Sequence, residues 1–265
     1  MYVVERKSDG ARLVAKVLRH ALAENSDLVR RMRREARALQ LLDHPNIVRI
    51  VDFDDLGDGR PFIVTELLEG RTLNAAIRDR AFDVDSAAEF TRQILLALRA
   101  VHRLKIVHRD LTPRNLFMHL EAGRLLIKVL DFGFSKFLGH ASSDLLTREG
   151  MLVGTPGFTA PEAVRGDRVD EQADLYAAGI VLFMLLTGEH PFDDLMHSRQ
   201  MYLAHVWRPM PAPSALRHGI SQEMDAVVAR ALAKRSEDRY ASADEFLVAL
   251  DVVTGAPNAQ RSQAR

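Results

Sequence analysis

The stretch from Ile106 to Phe117, IVHRDLTPRNLF, places a polar loop between two hydrophobic runs. We expect the runs to enter a core and to hold the loop at its mouth. Asp110 and Asn115 are five residues apart and can turn into one site. A carboxylate can accept a proton, and an amide oxygen can bind a hard metal ion. The loop is therefore a candidate site for both tasks.

A second carboxylate lies twenty-one residues after Asp110. In the run IKVLDFG, Asp131 ends an apolar strand and is followed by Phe132 and the flexible Gly133. Two acidic residues and an asparagine that converge at strand ends indicate a magnesium and phosphate site. Either motif alone is equally well explained by a polar turn between strands, so the interpretation depends on their order and spacing.

Composition limits the class of protein. The chain has 265 residues, of which 47% are hydrophobic and 27% charged, as in a soluble globular protein with one large domain or two lobes. A net charge of zero argues against a nucleic-acid-binding protein that works by bulk electrostatics. Because cysteine is absent, disulfides, zinc–thiolate sites and thiol catalysis are excluded.

The sequence also predicts a cytoplasmic protein. The opening residues MYVVER do not have the pattern of a signal peptide. The longest apolar run, Ala177 to Leu186, is about half of what a bilayer requires, so no membrane segment is expected in this chain.

A lysine and a glutamate at buried positions form a candidate ion pair. Lys16 lies in residues 13–18, where apolar residues occupy both faces of a predicted strand, and a buried ammonium requires a partner. Residues 27–42 have the apolar spacing of a helix, and Glu35 lies on its apolar stripe. We therefore expect Lys16 to pair with Glu35. The alternative is a lysine on an edge strand and a glutamate at a helix margin.

The first seventy residues predict a small antiparallel sheet with one helix. A turn at His44–Asn46 starts a strand, LGDGR at residues 56–60 is a strong hairpin signal, and residues 61–68 form the next strand. After the boundary at residues 69–71 the chain turns helical, and an apolar stripe at residues 90–101 leads into the polar loop.

The second half of the chain contains a long segment rich in Ser, Gly, Asp and Thr. Residues 134–153 lack a sustained periodicity and predict a mobile loop, which in a compact domain is usually functional. The loop closes with GTPGFTAPE at residues 154–162. Asp174 begins a helical segment, and on its own it is explained as a helix N-cap.

These motifs together resemble the eukaryotic-like (Hanks-type) bacterial serine/threonine protein kinases. HRDLTPRN resembles the catalytic loop, DFG the Asp-Phe-Gly motif, and GTPGFTAPE the substrate-positioning loop with its Ala-Pro-Glu segment. The resemblance implies an α+β, two-lobed kinase-like fold, with a small antiparallel-sheet lobe and a larger helical lobe. It divides the chain into a kinase domain at residues 1–252 (N-lobe 1–68, hinge 66–71, C-lobe 72–252) and a disordered tail at 253–265.

The implied activity is magnesium-dependent transfer of the γ-phosphate of ATP to Ser or Thr of proteins. By resemblance, Asp110 orients the hydroxyl and accepts its proton, and Asn115 and Asp131 bind magnesium. Lys16, fixed by Glu35, holds the phosphates. The further implied catalytic residues are Arg114 and Thr155, and the implied nucleotide-binding residues, besides Lys16 and Asp131, are Val14, Glu66, Leu68 and Phe117.

The resemblance also implies structural contacts and partners. Asp174 is expected to tether the backbone of the catalytic loop, and Arg239 to pair with Glu162 of the Ala-Pro-Glu segment. The expected partners are a protein substrate and ATP, and the resemblance allows self-association for autophosphorylation.

One departure from the family is the start of the chain. Met1 falls where the glycine-rich loop over the phosphates would already be ending. The backbone amides of that loop, and the lid by which it excludes water, would then both be lost. We expect the natural gene to extend upstream and to encode the first strand and this loop. As given, the chain is expected to bind ATP weakly and to leave one sheet edge unpaired.

Two further departures concern side chains. Thr112 replaces a lysine that such kinases usually carry two residues after the catalytic Asp, and Arg114 stands where tyrosine kinases often place a compensating arginine. A cation for the transferring phosphoryl group is therefore still present. Met151 replaces a common activating phosphorylation position.

Two alternatives to a protein kinase stay open at this point. A pseudokinase, acting as a nucleotide-binding or scaffolding module, is favoured by the missing loop and disfavoured by the intact polar residues of the cleft. A small-molecule phosphotransferase can share a His-x-Asp loop, but the Ala-Pro-Glu segment and Arg239 argue against it.

Regulation is expected through the long loop. Arg109 needs an anion beside it, which a phosphorylated Thr147 would supply with two charges and several acceptor oxygens. Lys136 and Arg31 would complete a basic pocket and link the order of the loop to the helix that carries Glu35.

Thr147 is preferred to Ser142 and Ser143 because it lies closer to the substrate-positioning loop. The alternative is that Arg109 hydrogen-bonds backbone carbonyls and that Glu149 serves as a permanent, weaker anion.

Overall fold

The structure is a computed structural model that describes residues 1–18, 26–79, 81–132, 155–195 and 197–255, without the side chains of residues 26–28 and 31. The described strands are β1 (Tyr2–Glu5), β2 (Arg12–Val17), β3 (Ile50–Asp55), β4 (Pro61–Glu66), β5 (Gly70–Thr72), β6 (Leu116–Glu121) and β7 (Arg124–Val129). The described helices are α1 (Ser26–Gln40), α2 (Leu73–Asp79), α3 (Val84–Arg103), α4 (Pro161–Arg165), α5 (Glu171–Thr187), α6 (Ser198–Trp207), α7 (Pro213–Leu216), α8 (Gln222–Ala231) and α9 (Ala243–Thr254).

The small lobe is an antiparallel sheet in the order β1-β2-β4-β3, with α1 as its helix. Met32, Ala36 and Leu39 recur at helical spacing and are buried in the main core together with Ile63 of β4. The structure confirms the predicted hairpin, because Leu56 N–H donates to Arg60 O at 2.8 Å. The predicted helix at residues 27–42 is α1 with shifted ends.

A second sheet, β5-β6-β7, lies where the two lobes join. Gly70 starts β5 with a φ of 138°, and a Cβ at this position would lie 2.0 Å from the carbonyl oxygen of Met118 on β6. Only glycine fits here, because the backbone conformation and the close approach both exclude a side chain. The connection between the lobes therefore passes directly against the sheet that carries Phe117.

The large lobe is organised around α5, whose residues are buried on nearly all sides. Its sequence is almost uniformly apolar after the first turn, which is typical of a helix at the centre of a lobe. Asp170 caps its N-terminus by accepting from Gln172 N–H, and Gly188 ends it in the left-handed conformation, with a φ of 83°. Both ends of the helix are therefore defined by specific capping residues, Asp170 and Gly188.

A buried ion pair joins two parts of the large lobe, as predicted. The two terminal guanidinium nitrogens of Arg239, Nη1 and Nη2, donate to the carboxylate of Glu162 at 2.8 and 2.7 Å. A bidentate pair of this kind fixes both partners in one geometry. It anchors α4, and with it the end of the substrate-positioning loop, to the segment before α9.

The C-terminal helix α9 runs two residues into the segment predicted as a tail from residue 253. It ends at Thr254, and Gly255 caps it with a φ of 65°; the rest of the predicted tail lies outside the described residues. Among the helices that the structure describes, none combines the length and apolarity needed to cross a membrane.

Candidate active site

The backbone of the HRD loop, defined here as residues 108–115, is held by a buried carboxylate. Asp174, on the first turns of α5, accepts hydrogen bonds from His108 N–H and Arg109 N–H, both at 2.8 Å. His102 at the end of α3 contacts the same carboxylate at 2.8 Å. Arg109 has a φ of 65°, a strained conformation for a residue with a side chain, and these bonds hold it in place. The tether predicted for Asp174 is present.

His108 connects the HRD loop to the end of β7. Its Nε2 donates to the carbonyl oxygen of Leu130 at 2.9 Å, and its ring packs against Phe132 with centroids 4.9 Å apart. The ring is fully buried, so the loop and the strand end form one unit. Consequently Asp110 and Asp131 are carried on parts of the backbone that are bonded to each other.

The carboxylate of Asp110 is oriented from two sides. Asn115 Nδ2 donates to Asp110 Oδ2 at 2.9 Å and to the Asp110 carbonyl oxygen at 2.8 Å. Thr155 Oγ1 donates to Asp110 Oδ1 at 3.1 Å. Asp110 is half-buried while Thr155 is exposed, so a hydroxyl from outside can approach the carboxylate. The structure thus brings Thr155, forty-five residues along the chain, to the Asp110–Asn115 pair.

Lys16 takes its acidic partner from the end of β7. Its Nζ lies 2.6 Å from Asp131 Oδ2, and both side chains are about two-thirds to three-quarters buried, with 26% and 31% exposed. Asp131 has a φ of 54°, which turns its carboxylate out of the line of the strand.

The expected Lys16–Glu35 pair is absent from the ion pairs of the described residues. Glu35 is half-buried on α1, as its place on the apolar stripe predicts. The physical need for a partner was inferred correctly, but the carboxylate that meets it comes from the strand end and not from the helix.

A cavity of about 220 Å³ lies between the small sheet and the β5-β6-β7 sheet. Its walls include the apolar side chains of Ile47, Ile63 and Phe132, to which sequence reasoning gave no binding role. An apolar slot with a few polar groups at one end is the usual form of a small-molecule site. The cavity between the two sheets is lined by all six residues predicted to bind the nucleotide: Val14, Lys16, Glu66, Leu68, Phe117 and Asp131.

The end of β4, beside this cavity, is fixed by a second buried ion pair. Lys128 on β7 donates to Glu66 Oε1 at 2.9 Å, and the same oxygen accepts from Arg49 N–H at 2.8 Å. Lys128 is 6% exposed, and sequence reasoning did not assign it a role. The pair is formed by residues distant in sequence, so no local pattern indicated it.

The donor set beside the cavity suits a hard cation that is shared with phosphates. Asp131 offers a carboxylate, and Asn115 uses its Nδ2 on Asp110, which leaves its amide oxygen as a ligand. In the described part of the chain no three His, Asp or Glu side chains cluster as an all-protein metal site. Magnesium bound by one or two protein groups plus substrate phosphates needs no such cluster.

The remaining predicted residues are placed as follows. Arg114 is exposed beside Asn115, and Thr112 is buried and accepts Asn115 N–H through its carbonyl at 2.9 Å. Arg109 is exposed. Thr147 and Lys136 lie outside the described residues, and so does the side chain of Arg31. The phosphorylation pocket therefore stays a prediction.

Comparison with known proteins gives close relatives of one family. The protein kinase domain profile matches residues 1–249. Serine/threonine-protein kinase Pkn1 of Myxococcus xanthus is 41% identical over 253 residues, which are 95% of this chain and 36% of that protein. Serine/threonine-protein kinase PknB of Mycobacterium leprae is 37% identical over 239 residues, with 88% of this chain and 37% of that protein covered. The chain spans less than half the length of these curated relatives.

Solved structures give the same family by shape. The crystal structure of the PknI kinase domain of Mycobacterium tuberculosis superposes with a TM-score of 0.73 at 26% sequence identity. The superposition covers 96% of this chain and 90% of that one. The similarity therefore extends over both lobes and the cavity between them.

Proposed function

Because the chain belongs to the protein kinase family, we propose that it transfers the γ-phosphate of ATP, with magnesium, to serine or threonine of a protein. The observation that carries this proposal is the carboxylate of Asp110. It is held by Asn115 and Thr155 and stays open to a hydroxyl from outside. The cavity lies beside it, with Lys16 and Asp131 at its polar end.

The proposed step is an in-line displacement at phosphorus. The substrate hydroxyl oxygen bonds to the γ-phosphorus, the bond from that phosphorus to the β–γ bridging oxygen breaks, and ADP leaves. The hydroxyl proton passes to Asp110, whose two oxygens are oriented by Asn115 Nδ2 and Thr155 Oγ1. Because there is little covalent chemistry for the protein to perform, positioning of the two reactants supplies most of the effect.

Charge stabilisation is assigned to residues at the polar end of the cavity. Lys16 would contact the phosphates, and the exposed guanidinium of Arg114 would stand near the transferring group. Asp131 and Asn115 would hold magnesium, which when bound neutralises charge on the β- and γ-phosphates. For this, Lys16 and Asp131 must exchange part of their mutual ion pair for contacts with phosphate and metal.

That ion pair also supports a second candidate, a nucleotide-binding module that transfers no phosphate. At 2.6 Å, Lys16 and Asp131 neutralise each other, and binding of ATP must compete with this contact. In this case the chain would bind ATP in the cavity but leave every protein hydroxyl unmodified.

The deciding experiment uses labelled ATP, magnesium and dephosphorylated casein as the acceptor. We expect Asp110→Asn to lower transfer by roughly 10²-fold or more with nucleotide binding retained, because the proton acceptor is lost. We expect Asp131→Ala to abolish transfer because a metal ligand is lost. Asp85→Asn, an exposed site on α3, is the matched control and should transfer at the wild-type rate.

Equal transfer by wild type and both active-site variants would refute the proposed kinase. Binding of ATP by the wild type without any transfer would instead support the nucleotide-binding module.

A further inference from the structure

A histidine outside the sequence motifs is hydrogen-bonded to the substrate-positioning segment, defined here as residues 155–159. His190 Nε2 donates to the carbonyl oxygen of Gly157 at 2.7 Å, and its Nδ1 accepts from Phe192 N–H at 3.1 Å. The two bonds require opposite roles of the ring nitrogens, so only the neutral tautomer with its proton on Nε2 satisfies both. Burial also lowers the pKa of His190, which favours this neutral form.

The segment is shaped to receive this ring. A Cβ on Gly157 would lie 2.9 Å from His190 Nε2, which is closer than real side chains allow. The ring of Phe158 meets the His190 ring edge-on, with centroids 5.7 Å apart. The approach of His190 therefore explains the glycine at position 157. Phe158 adds a ring contact to the same histidine.

The contact is transmitted to the catalytic carboxylate through a short rigid turn. Residues Pro156–Phe158 form a 3₁₀ turn, in which Phe158 N–H donates to Thr155 O at 3.0 Å. Thr159 Oγ1 donates to the same oxygen at 3.2 Å. Since the turn is closed by these bonds, the position of the Gly157 carbonyl determines that of Thr155. The Thr155 hydroxyl in turn donates to Asp110.

Helix α5 relates this contact to the catalytic loop. Asp174 near its N-terminus holds the loop backbone, and His190 lies two residues after its C-terminal cap at Gly188. The helix has 17 residues and is therefore about 25 Å long. Pro191 restricts the backbone of His190 to extended conformations, which limits the directions that the ring can take. One buried helix thus sets the spacing between the catalytic loop and the segment.

We propose that His190 is a positioning residue for the protein substrate, holding residues 155–159 where the accepting hydroxyl must be presented to Asp110. This inference rests on the proposed function and deepens it. The outer side of the segment stays open, since Thr155 is exposed, while the inner side is fixed by His190. His190 acts through the segment and does not contact the nucleotide cavity, whose lining does not include it.

The test compares His190→Leu, His190→Gln and the matched control His218→Leu, which replaces an exposed histidine. With dephosphorylated casein, His190→Leu should lower kcat/KM for casein by roughly tenfold, because a partly buried hydrogen bond is lost. KM for ATP should stay within about twofold, since the cavity is untouched. His190→Gln should recover most of the loss, because its amide N–H can donate to Gly157 O.

An activity-independent measurement accompanies the kinetics. Hydrogen exchange at the Phe158 amide, which donates to Thr155 O, should be faster in His190→Leu than in wild type and in His218→Leu. If casein kinetics and exchange are both unchanged in His190→Leu, the inference is overturned. It is also overturned if KM for ATP rises as much as KM for casein, since that marks a general loss of structure.

Failure of the proposed function gives a different result. An inactive wild type refutes the kinase, and faster exchange in His190→Leu then still shows that His190 holds the segment. An unchanged exchange rate in that case refutes the inference as well.

Discussion

A buried histidine next to the His190 contact has a strongly shifted protonation equilibrium. The ring of His205 is fully buried, one nitrogen is paired with the Tyr176 hydroxyl at 2.7 Å, and Nε2 has no hydrogen-bond partner among the described residues. Burial lowers the pKa of His205 to about 3 from its usual 6.5, and His190 and Lys234 add to the effect. The folded protein therefore keeps this ring neutral in weak acid.

This shift predicts a pH dependence of stability. Below pH 6.5 the unfolded chain binds a proton at His205 and the folded chain does not, so the free energy of unfolding falls as pH falls. The loss is about 1.4 kcal/mol per pH unit well below that value, and it continues down to pH of about 3. Urea unfolding of His205→Asn between pH 4.5 and 7 should show a shallower slope than wild type.

The exposed His218 provides the control for that measurement. His218→Asn should keep the wild-type slope, because this substitution leaves the buried His205 unchanged. Parallel slopes for His205→Asn and wild type would show that His205 is protonated in the folded state as easily as in the unfolded one.

Single residues also show where sequence reasoning reached its limit. Asp174 and the Glu162–Arg239 pair are bonded as the motifs implied, because each lies at a fixed place in a recognisable motif. His190 and Lys128 were missed because their partners are distant in sequence and neither belongs to a spaced pattern. Lys16 was expected to pair with Glu35 and instead contacts Asp131, because the sequence alone does not show which of two nearby carboxylates meets the electrostatic requirement of a buried ammonium.

At the scale of elements, helix α5 meets α8 through a glycine. A Cβ on Gly179 would lie 2.8 Å from the Ala231 Cβ and 3.0 Å from Leu232 Cδ2. These neighbours are themselves buried, so they have little room to move. The glycine therefore allows the two helices to approach each other closely at the centre of the large lobe.

The overpacking caused by Gly179→Ala is expected to cost about 1–3 kcal/mol of stability. Replacing glycine by alanine in a helix contributes about 1 kcal/mol in the opposite direction, so the net change should be a smaller loss. Denaturant unfolding measures it. Gly57→Ala is the control, because no atom lies within 4 Å of its added Cβ, and a variant at Gly179 as stable as this control would exclude the close approach.

Elements were predicted well where a periodic pattern was long and less well at their ends. The helix expected at residues 27–42 is Ser26–Gln40, and the stripe at residues 90–101 lies within Val84–Arg103. Ends depend on individual capping bonds, such as Asp83 accepting Ser86 N–H, which periodicity does not encode. Strand β1 pairs along β2 from Tyr2 to Glu5, a pairing that its four residues alone did not specify.

At the scale of the whole molecule, the cavity is the place where the two lobes share a ligand. Val14 and Lys16 reach it from β2, whereas Phe117 and Asp131 reach it from the β6–β7 side. A ligand that contacts both sets can stabilise the folded chain by joining the lobes. Across the cavity, the 2.6 Å Lys16–Asp131 pair is the contact that such a ligand has to replace.

This arrangement predicts how magnesium and ATP affect thermal stability. At one hundred times its dissociation constant, magnesium with ATP should raise the free energy of unfolding of wild type by about 2.7 kcal/mol. Adding EDTA should remove much of this gain, because Asp131 and ATP then repel each other without the metal. In Asp131→Asn the repulsion is absent and Lys16 is released, so metal-free ATP should stabilise this variant at least as well as it stabilises wild type.

Thermal unfolding of both proteins, with ATP and either magnesium or EDTA, provides the measurement. Asp85→Asn should behave as wild type does, since its side chain is exposed on α3, away from the cavity. If EDTA reduces the stabilisation of Asp131→Asn as much as that of wild type, magnesium is held elsewhere. In that case Asp131 serves only as the partner of Lys16, and the metal site proposed at the end of β7 is wrong.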